Sequence, residues 1–165
     1  MNRNLCFTIL TIMFFIPIIY SIVNINTEIT VSRLLINEKT YIILFGLFMI
    51  MTIFALEYEK MRKNRLSYYF MYFFSISCIL FCFFHPHDKC HLMYAFVAFF
   101  AIVGWLFINA KNDVVLSCLL FIQLICSTYL FNAVLMKKRP DVFTGELIFL
   151  LVMFISYLYI HLKNK

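Results

Sequence analysis

The sequence predicts an all-α protein, a polytopic transmembrane bundle of six helices. The 165 residues are 64% hydrophobic and 19% aromatic, with a mean hydropathy of +0.93, which is more apolar surface than a small soluble core can bury. Six apolar segments approach the roughly 20 residues that cross about 30 Å of hydrocarbon. With 21 Phe and only 3 Gly, the segments contain few helix breakers and suit a lipid environment on all sides.

The apolar segments and their connectors define the expected elements. The first run is long for the apolar part of a signal peptide and no small-x-small cleavage site follows it, so we interpret it as a retained helix. Short connectors make neighbouring helices antiparallel and leave residues 1–165 as a single transmembrane domain. The six segments are residues 4–23, 40–57, 66–84, 91–109, 114–135 and 146–162. The expected helix N-caps are Thr40, Ser67, Asp113 and Thr144.

The distribution of Lys and Arg predicts the orientation. The densest basic connector is KMRKNR, residues 60–65, and placing it in the cytoplasm also places both termini there. The KKRPD connector and the turn at 85–90 then lie outside. The three basic residues of KKRPD oppose the general preference of Lys and Arg for the cytoplasmic side. In this orientation Lys60, Arg62, Lys63 and Arg65 contact anionic lipid headgroups. Besides the bilayer, a membrane protein is a candidate partner, and no nucleic-acid partner is expected.

The stretch HPHDKCH, which follows the third apolar run, has two interpretations. Imidazole and carboxylate groups suit zinc or a similar ion, so His85, His87 and His91 are candidate metal ligands. In the interpretation that we favour, Asp88 caps the fourth helix at its positive end while His85 and His87 are solvated. That interpretation requires no cofactor, and zinc remains the alternative.

His91 differs from the other two turn histidines. A fourth helix that starts near residue 91 places His91 on one face with Ala95 and Ala98, and small residues mark faces where membrane helices approach closely. His91 is therefore predicted to face the bundle. With Asp88 and Glu146, which lie at the same membrane face, it forms a candidate functional polar cluster, because ionisable groups in a membrane are candidate functional groups.

Other polar residues have structural interpretations. Gln123 and Ser127 share a face of the fifth helix and are expected to form interhelical hydrogen bonds. Glu57 and Glu59 end the second segment as interfacial ion partners. The apolar segments contain no Asp, Glu, Lys or Arg at mid-membrane depth, which argues against an ion-coupled transporter or a proton pump. The fingerprints of serine hydrolases, P-loop enzymes and dinucleotide-binding proteins are absent, so no catalytic residue is predicted.

The pattern P-x-D-x-x-H-x-x-x-A, formed by Pro86, Asp88, His91 and Ala95, resembles a known superfamily. Its members are six-helix membrane proteins: the damage-regulated autophagy modulators, the GPI-anchor remodelling proteins, and related bacterial and archaeal proteins of unknown function. An acid near the start of the last helix, here Glu146, is also similar. The resemblance implies six helices and a bacterial or archaeal cell membrane, because the first external loop lacks the aromatic and glycine-rich features of eukaryotic members.

Three functions remain open at this point. The first is a non-enzymatic membrane protein whose extracytoplasmic polar cluster contacts lipid headgroups or a membrane partner. The second is a membrane-embedded, metal-dependent lipid hydrolase. The third is a carrier of small solutes or a subunit of a membrane complex. The hydrolase needs further ligands, and His161 is predicted at the opposite end of the bundle from His91.

Overall fold

The predicted all-α architecture is confirmed. A computed structural model of the chain describes residues 2–23, 38–84, 89–136 and 139–163. Within these ranges it contains six α-helices and no strand, and all six helices are long and apolar enough to cross a membrane. They are α1 (Arg3–Val23), α2 (Glu38–Arg62), α3 (Arg65–Phe83), α4 (Lys89–Ala110), α5 (Val114–Leu135) and α6 (Arg139–Lys163).

The helices form a ring in chain order. Each helix packs against the next along the chain, and α6 returns to contact α1. The ring of Phe7 near the start of α1 stacks on His161 near the end of α6, with centroids 4.1 Å apart. Both chain ends therefore lie at one face of the bundle, which we name the terminal side. The α2–α3 and α4–α5 turns share this side, and the C-terminal ends of α1, α3 and α5 lie at the other face, which we name the opposite side.

Aromatic side chains fill much of the centre of the ring. Trp105 of α4 stacks on Tyr157 of α6 with centroids 4.6 Å apart, and Phe99 of α4 stacks on Phe149 of α6 at 5.0 Å. All four side chains are buried. Helices that are not neighbours in the chain thus contact each other across the axis of the bundle.

Three of the four predicted caps differ from the structure. Asp113 caps α5 as predicted, since its Oδ1 accepts from the Leu116 N–H at 3.0 Å. Asn64 caps α3 instead of Ser67, whose N–H donates to Asn64 Oδ1 at 3.2 Å. Thr40 and Thr144 lie inside helices, because α2 begins at Glu38 and α6 begins at Arg139.

Two helices also extend beyond the apolar runs that predicted them. The last turn of α2 continues to Arg62, through much of the basic connector, and α6 starts seven residues before the predicted position 146. Hydropathy locates only the apolar part of a helix. The helical backbone can extend further at either end, as long as the polar side chains there contact water or find hydrogen-bond partners. Pro140 does not prevent the early start of α6, because proline is tolerated in the first turn of a helix.

Gly104 permits a close approach between α4 and α3. A Cβ atom at position 104 would overlap the ring of Phe70 on α3, whereas a Cβ atom at Gly46 on α2 would have no neighbour within 4 Å. Small residues allow membrane helices to approach in this way.

We therefore expect Gly104→Ala to lower the free energy of unfolding in detergent by about 1–3 kcal/mol, because the Phe70 ring must move from a packed position. Gly46→Ala is the matched control and should be neutral or slightly stabilising, since alanine favours a helix. Thermal unfolding measures both, and adding Phe70→Leu should recover part of the loss. Equal effects of the two glycine variants would contradict the close approach.

Candidate functional site

A buried carboxylate organises the terminal side of the bundle. Glu59, in the last turn of α2, is 0% exposed. Its two oxygens accept hydrogen bonds from side chains of four helices: Arg62 Nη1 at 2.9 Å to each oxygen, Ser67 Oγ at 2.6 Å, Trp105 Nε1 at 3.1 Å and Tyr157 OH at 3.0 Å. An ionised carboxylate accepts about four hydrogen bonds, so these donors satisfy it.

Asn109 extends this arrangement from the last turn of α4. Its Oδ1 accepts from Arg62 Nη2 at 2.5 Å, and its Nδ2 donates to Ser67 Oγ at 3.1 Å and to the Trp105 carbonyl at 2.7 Å. The guanidinium of Arg62 therefore lies between an acid and an amide and is mostly buried. We name Glu59, Arg62, Ser67, Trp105, Asn109 and Tyr157 the terminal network.

His161 lies beside the terminal network. Its Nδ1 is 3.2 Å from the hydroxyl of Tyr58, which is fully buried on α2. The imidazole also stacks on Phe7, so it links α6 to α1 and α2. His161 and His91 lie at opposite ends of the bundle, as predicted.

An ion pair at the edge of the terminal side joins α5 to the end of α6. Lys163 Nζ donates to Asp113 Oδ2 at 2.5 Å, and the Tyr159 hydroxyl donates to the same oxygen at 3.3 Å. The hydrogen bond from Lys163, followed by that from the Leu116 N–H, lowers the pKa of Asp113 below its usual value. Because the folded-state pKa is lowered, this stabilisation is present above the unfolded-state pKa and is lost as pH falls through the folded-state value.

His91, on the opposite side, is buried as predicted. It is 5% exposed, and its Nδ1 lies 3.1 Å from the carbonyl of Phe81 and 3.0 Å from that of Phe84. Both carbonyls are acceptors, so Nδ1 carries the hydrogen. The last turn of a helix leaves carbonyls without intrahelical partners, and His91 supplies a donor there. His91 therefore fastens the end of α3 to the start of α4.

A central cavity occupies the half of the bundle nearer the opposite side. Its volume is about 180 Å³, and residues from all six helices line it. The lining is apolar except for Glu146 of α6 and the thiol of Cys78, and it includes Ala95 and Ala98 from the face that His91 shares. The ring of Phe81 borders the cavity and packs on His91 with centroids 3.8 Å apart.

A smaller space of about 30 Å³ lies next to the central cavity, towards the terminal side. Both spaces border on Phe14, Met51, Phe74 and Met153. The smaller space also reaches Tyr157, which belongs to the terminal network. Three features therefore follow one another along the axis of the bundle. The central cavity comes first, then a constriction formed by these aromatic and methionine side chains, and then the hydrogen-bonded terminal network.

The predicted site residues have different positions in the structure. His85, His87 and Asp88 lie outside the described residues, so the proposed metal turn and the Asp88 cap stay predictions. Glu146 lies in the second turn of α6 and lines the cavity. Among residues 2–23, 38–84, 89–136 and 139–163, no group of three or more His, Cys, Asp or Glu side chains could hold a metal ion.

The four basic residues expected to contact lipid divide into two groups. Lys60, Lys63 and Arg65 line an open groove at the α2–α3 turn. Arg62 instead turns into the bundle and pairs with Glu59 at 2.9 Å. For the first three residues, contact with anionic lipid stays a prediction.

Glu57 and Glu59 are ion partners of the basic connector, as predicted: Glu57 lies 3.9 Å from Lys60 and Glu59 lies 2.9 Å from Arg62. The Glu57 pair is exposed, whereas the side chain of Glu59 is buried inside the bundle, which the sequence did not predict. Two features of the sequence could have predicted the burial of Glu59: its i, i+3 spacing from Arg62, and the hydrogen-bond donors near the ends of the apolar runs of α4 and α6.

The polar residues inside α5 follow the prediction of interhelical hydrogen bonds only in part. Gln123 Nε2 is 3.5 Å from the Phe149 carbonyl of α6, whereas Ser127 donates within α5, to the Gln123 carbonyl.

Comparison with known proteins gives no relative. No protein family, curated protein or solved structure matches the chain.

Tyr157→Phe tests the terminal network with a minimal change. The variant keeps the ring that stacks on Trp105 and removes the hydroxyl that donates to Glu59. Leaving a buried carboxylate short of a donor costs about 1–3 kcal/mol, and unfolding in detergent measures the loss. Tyr72→Phe, at an exposed position on α3, is the control and should change stability by less than about 0.5 kcal/mol. Equal effects would exclude a structural role for the hydroxyl of Tyr157.

His91→Ala should destabilise the bundle by about 1–3 kcal/mol, because two carbonyls at the end of α3 lose a buried donor. His85→Ala changes a residue that we expect to be solvated and should cost less than about 0.5 kcal/mol. Thermal unfolding of the two variants side by side gives the comparison. The assignment of His91 as the fastening residue fails if both variants unfold at the same temperature.

Proposed function

We propose that the chain is an integral membrane protein that holds the apolar part of one amphiphile in its central cavity. An amphiphile here means a molecule with one hydrocarbon segment and one polar head. The observation that carries the proposal is an apolar cavity of about 180 Å³ lined by all six helices. Protein interiors are close-packed, and a void of this size in a ring of aromatic residues is a suitable site for a ligand.

The volume limits the size of the ligand. An engineered apolar cavity of about 150 Å³ in another protein binds benzene and otherwise stays dry. A cavity of about 180 Å³ therefore has room for one ring or the end of one hydrocarbon chain, and a two-chain lipid cannot enter it completely. Met51 and Met153 contribute flexible side chains to the lining, and flexible thioethers let an apolar site adapt to chains of different shape.

The polar head of the ligand belongs on the opposite side of the bundle. Glu146 is the acidic residue among the cavity-lining residues, and it lies in the second turn of α6, close to that membrane face. The terminal end is occupied by the terminal network, whose donors are engaged with Glu59 and with other members of the network. In the predicted orientation the head would lie at the extracytoplasmic face, where the sequence predicts the cluster of Asp88, His91 and Glu146 to contact lipid headgroups.

The alternative of a metal-dependent lipid hydrolase has less support. A hydrolase of this kind would need His85, His87 and Asp88 as metal ligands, and these lie outside the described residues. The Nδ1 atom of His91, the third candidate histidine, is already engaged with two carbonyls. Glu59, the buried acid at the terminal end, is saturated by donors and has no oxygen left for a substrate or an ion. Kinship with the six-helix superfamily that the sequence resembles stays a proposal and adds no catalytic residue to the described part of the chain.

A photoreactive, single-chain amphiphile with a diazirine at the end of its hydrocarbon chain tests the proposal. We expect adducts on cavity-lining residues such as Phe149 and Met153, located by peptide mass spectrometry. Ala98→Leu fills part of the cavity and should lower adduct formation there about tenfold, the effect of about 1.4 kcal/mol of lost binding. Val97→Leu places the same leucine side chain at the neighbouring, exposed position and should leave adduct formation in the cavity unchanged.

The result that would overturn the proposal is labelling confined to outward-facing residues such as Phe100 and Phe107. A second contradictory result is equal labelling of the cavity in the Ala98→Leu and Val97→Leu variants.

A further inference from the structure

We propose that the groove at the α2–α3 turn binds the headgroup of one anionic phospholipid, whose acyl chains lie along the outer face of α3. This site is separate from the central cavity, because it lies on the terminal side and on the outer surface. The groove has a volume of about 590 Å³. We name it the turn groove, and its lining residues are Glu57, Glu59, Lys60, Lys63, Asn64, Arg65, Tyr68 and Tyr69.

The charge of the turn groove favours an anion. Lys60, Lys63 and Arg65 contribute three cationic groups to its lining. Of the two acids, Glu59 is neutralised by the buried Arg62 at 2.9 Å, and Glu57 makes only a loose, exposed pair with Lys60 at 3.9 Å. An exposed pair of this kind contributes little energy, so Lys60 can exchange it for a phosphate group. The groove thus presents an excess of positive charge that its own acids do not neutralise.

The backbone of the turn brings two of these cations to the groove. Lys63 adopts a left-handed conformation with φ of 59°, and its N–H donates to the Lys60 carbonyl at 3.2 Å. Asn64 then caps α3, and Arg65 is the first helical residue. This tight turn places Lys63 and Arg65 on either side of the cap at the membrane boundary, where basic residues interact with anionic headgroups.

The surface next to the groove is apolar. Leu66, Tyr69 and Phe73 are 57%, 56% and 56% exposed, respectively, and their spacing of three and four residues places them along one stripe of α3. Tyr69 belongs both to the stripe and to the groove, and tyrosine is enriched at the boundary between headgroups and acyl chains. A free phosphate ion would use only the cations, whereas a phospholipid would use the cations and the stripe. The combination therefore favours a lipid.

The experiment measures thermal stabilisation of the detergent-purified protein by phosphatidylglycerol, with phosphatidylcholine and inorganic phosphate as separate arms. We expect phosphatidylglycerol to raise the Tm of the wild type, and the other two additions to raise it by less than half as much. The Lys63→Gln/Arg65→Gln double variant should lose most of the phosphatidylglycerol shift. Lys111→Gln removes an exposed cation from the α4–α5 turn on the same side and should keep the shift.

The two substituted side chains are exposed, so the double variant should unfold at the wild-type temperature without added lipid. If the double variant unfolds at a lower temperature, Lys60→Gln replaces it in the experiment. Lys60→Gln should also lose part of the phosphatidylglycerol shift in Tm. If Lys111→Gln lost the phosphatidylglycerol shift in Tm to the same extent, the shift would be due to general surface charge, and the proposal would be overturned. Equal stabilisation by phosphatidylcholine would overturn an anion-specific site, and equal stabilisation by inorganic phosphate would overturn a lipid site.

Discussion

The burial of Glu59 constrains the whole terminal half of the bundle. A carboxylate removed from water costs several kcal/mol unless cations and hydrogen-bond donors surround it, and this one is 0% exposed. Its donors come from α2, α3, α4 and α6. Because lipid supplies little hydrophobic driving force for association between helices in a membrane, converging hydrogen bonds of this kind determine the relative depth and rotation of the helices that carry them.

The two ends of the bundle consequently differ in character. The terminal end is closed by the terminal network and by the contact of His161 with Tyr58 and Phe7. The central cavity lies at the other end. There the hydrogen bonds of His91 hold α3 and α4 together without filling the centre. The terminal end is closed by hydrogen bonds and the other end contains an apolar cavity. This arrangement suits a ligand that enters from one side of the bundle.

The sequence predicted some of these features and missed others for identifiable physical reasons. Hydropathy located all six helices, since crossing a bilayer requires a minimum apolar length, whereas only one of the four predicted caps was right. The inward orientation of His91 followed from helical periodicity and the small residues Ala95 and Ala98. The terminal network did not follow, because Trp105 and Tyr157 are 46 and 98 residues from Glu59 along the chain. Such distant contacts depend on how the ring closes, which periodicity within a single helix does not determine.

The central claim is that Glu59 and Arg62 stabilise the fold as a pair, and a double-mutant cycle tests it most directly. Glu59→Ala, Arg62→Ala and the double variant are compared by reversible unfolding in detergent or bicelles. Removing one partner leaves an uncompensated buried charge, so each single variant should lose about 3–5 kcal/mol. The double variant should lose clearly less than the sum, with an interaction free energy of about 2 kcal/mol or more. Losses that add to within about 0.5 kcal/mol would contradict the account, because independent residues behave in that way.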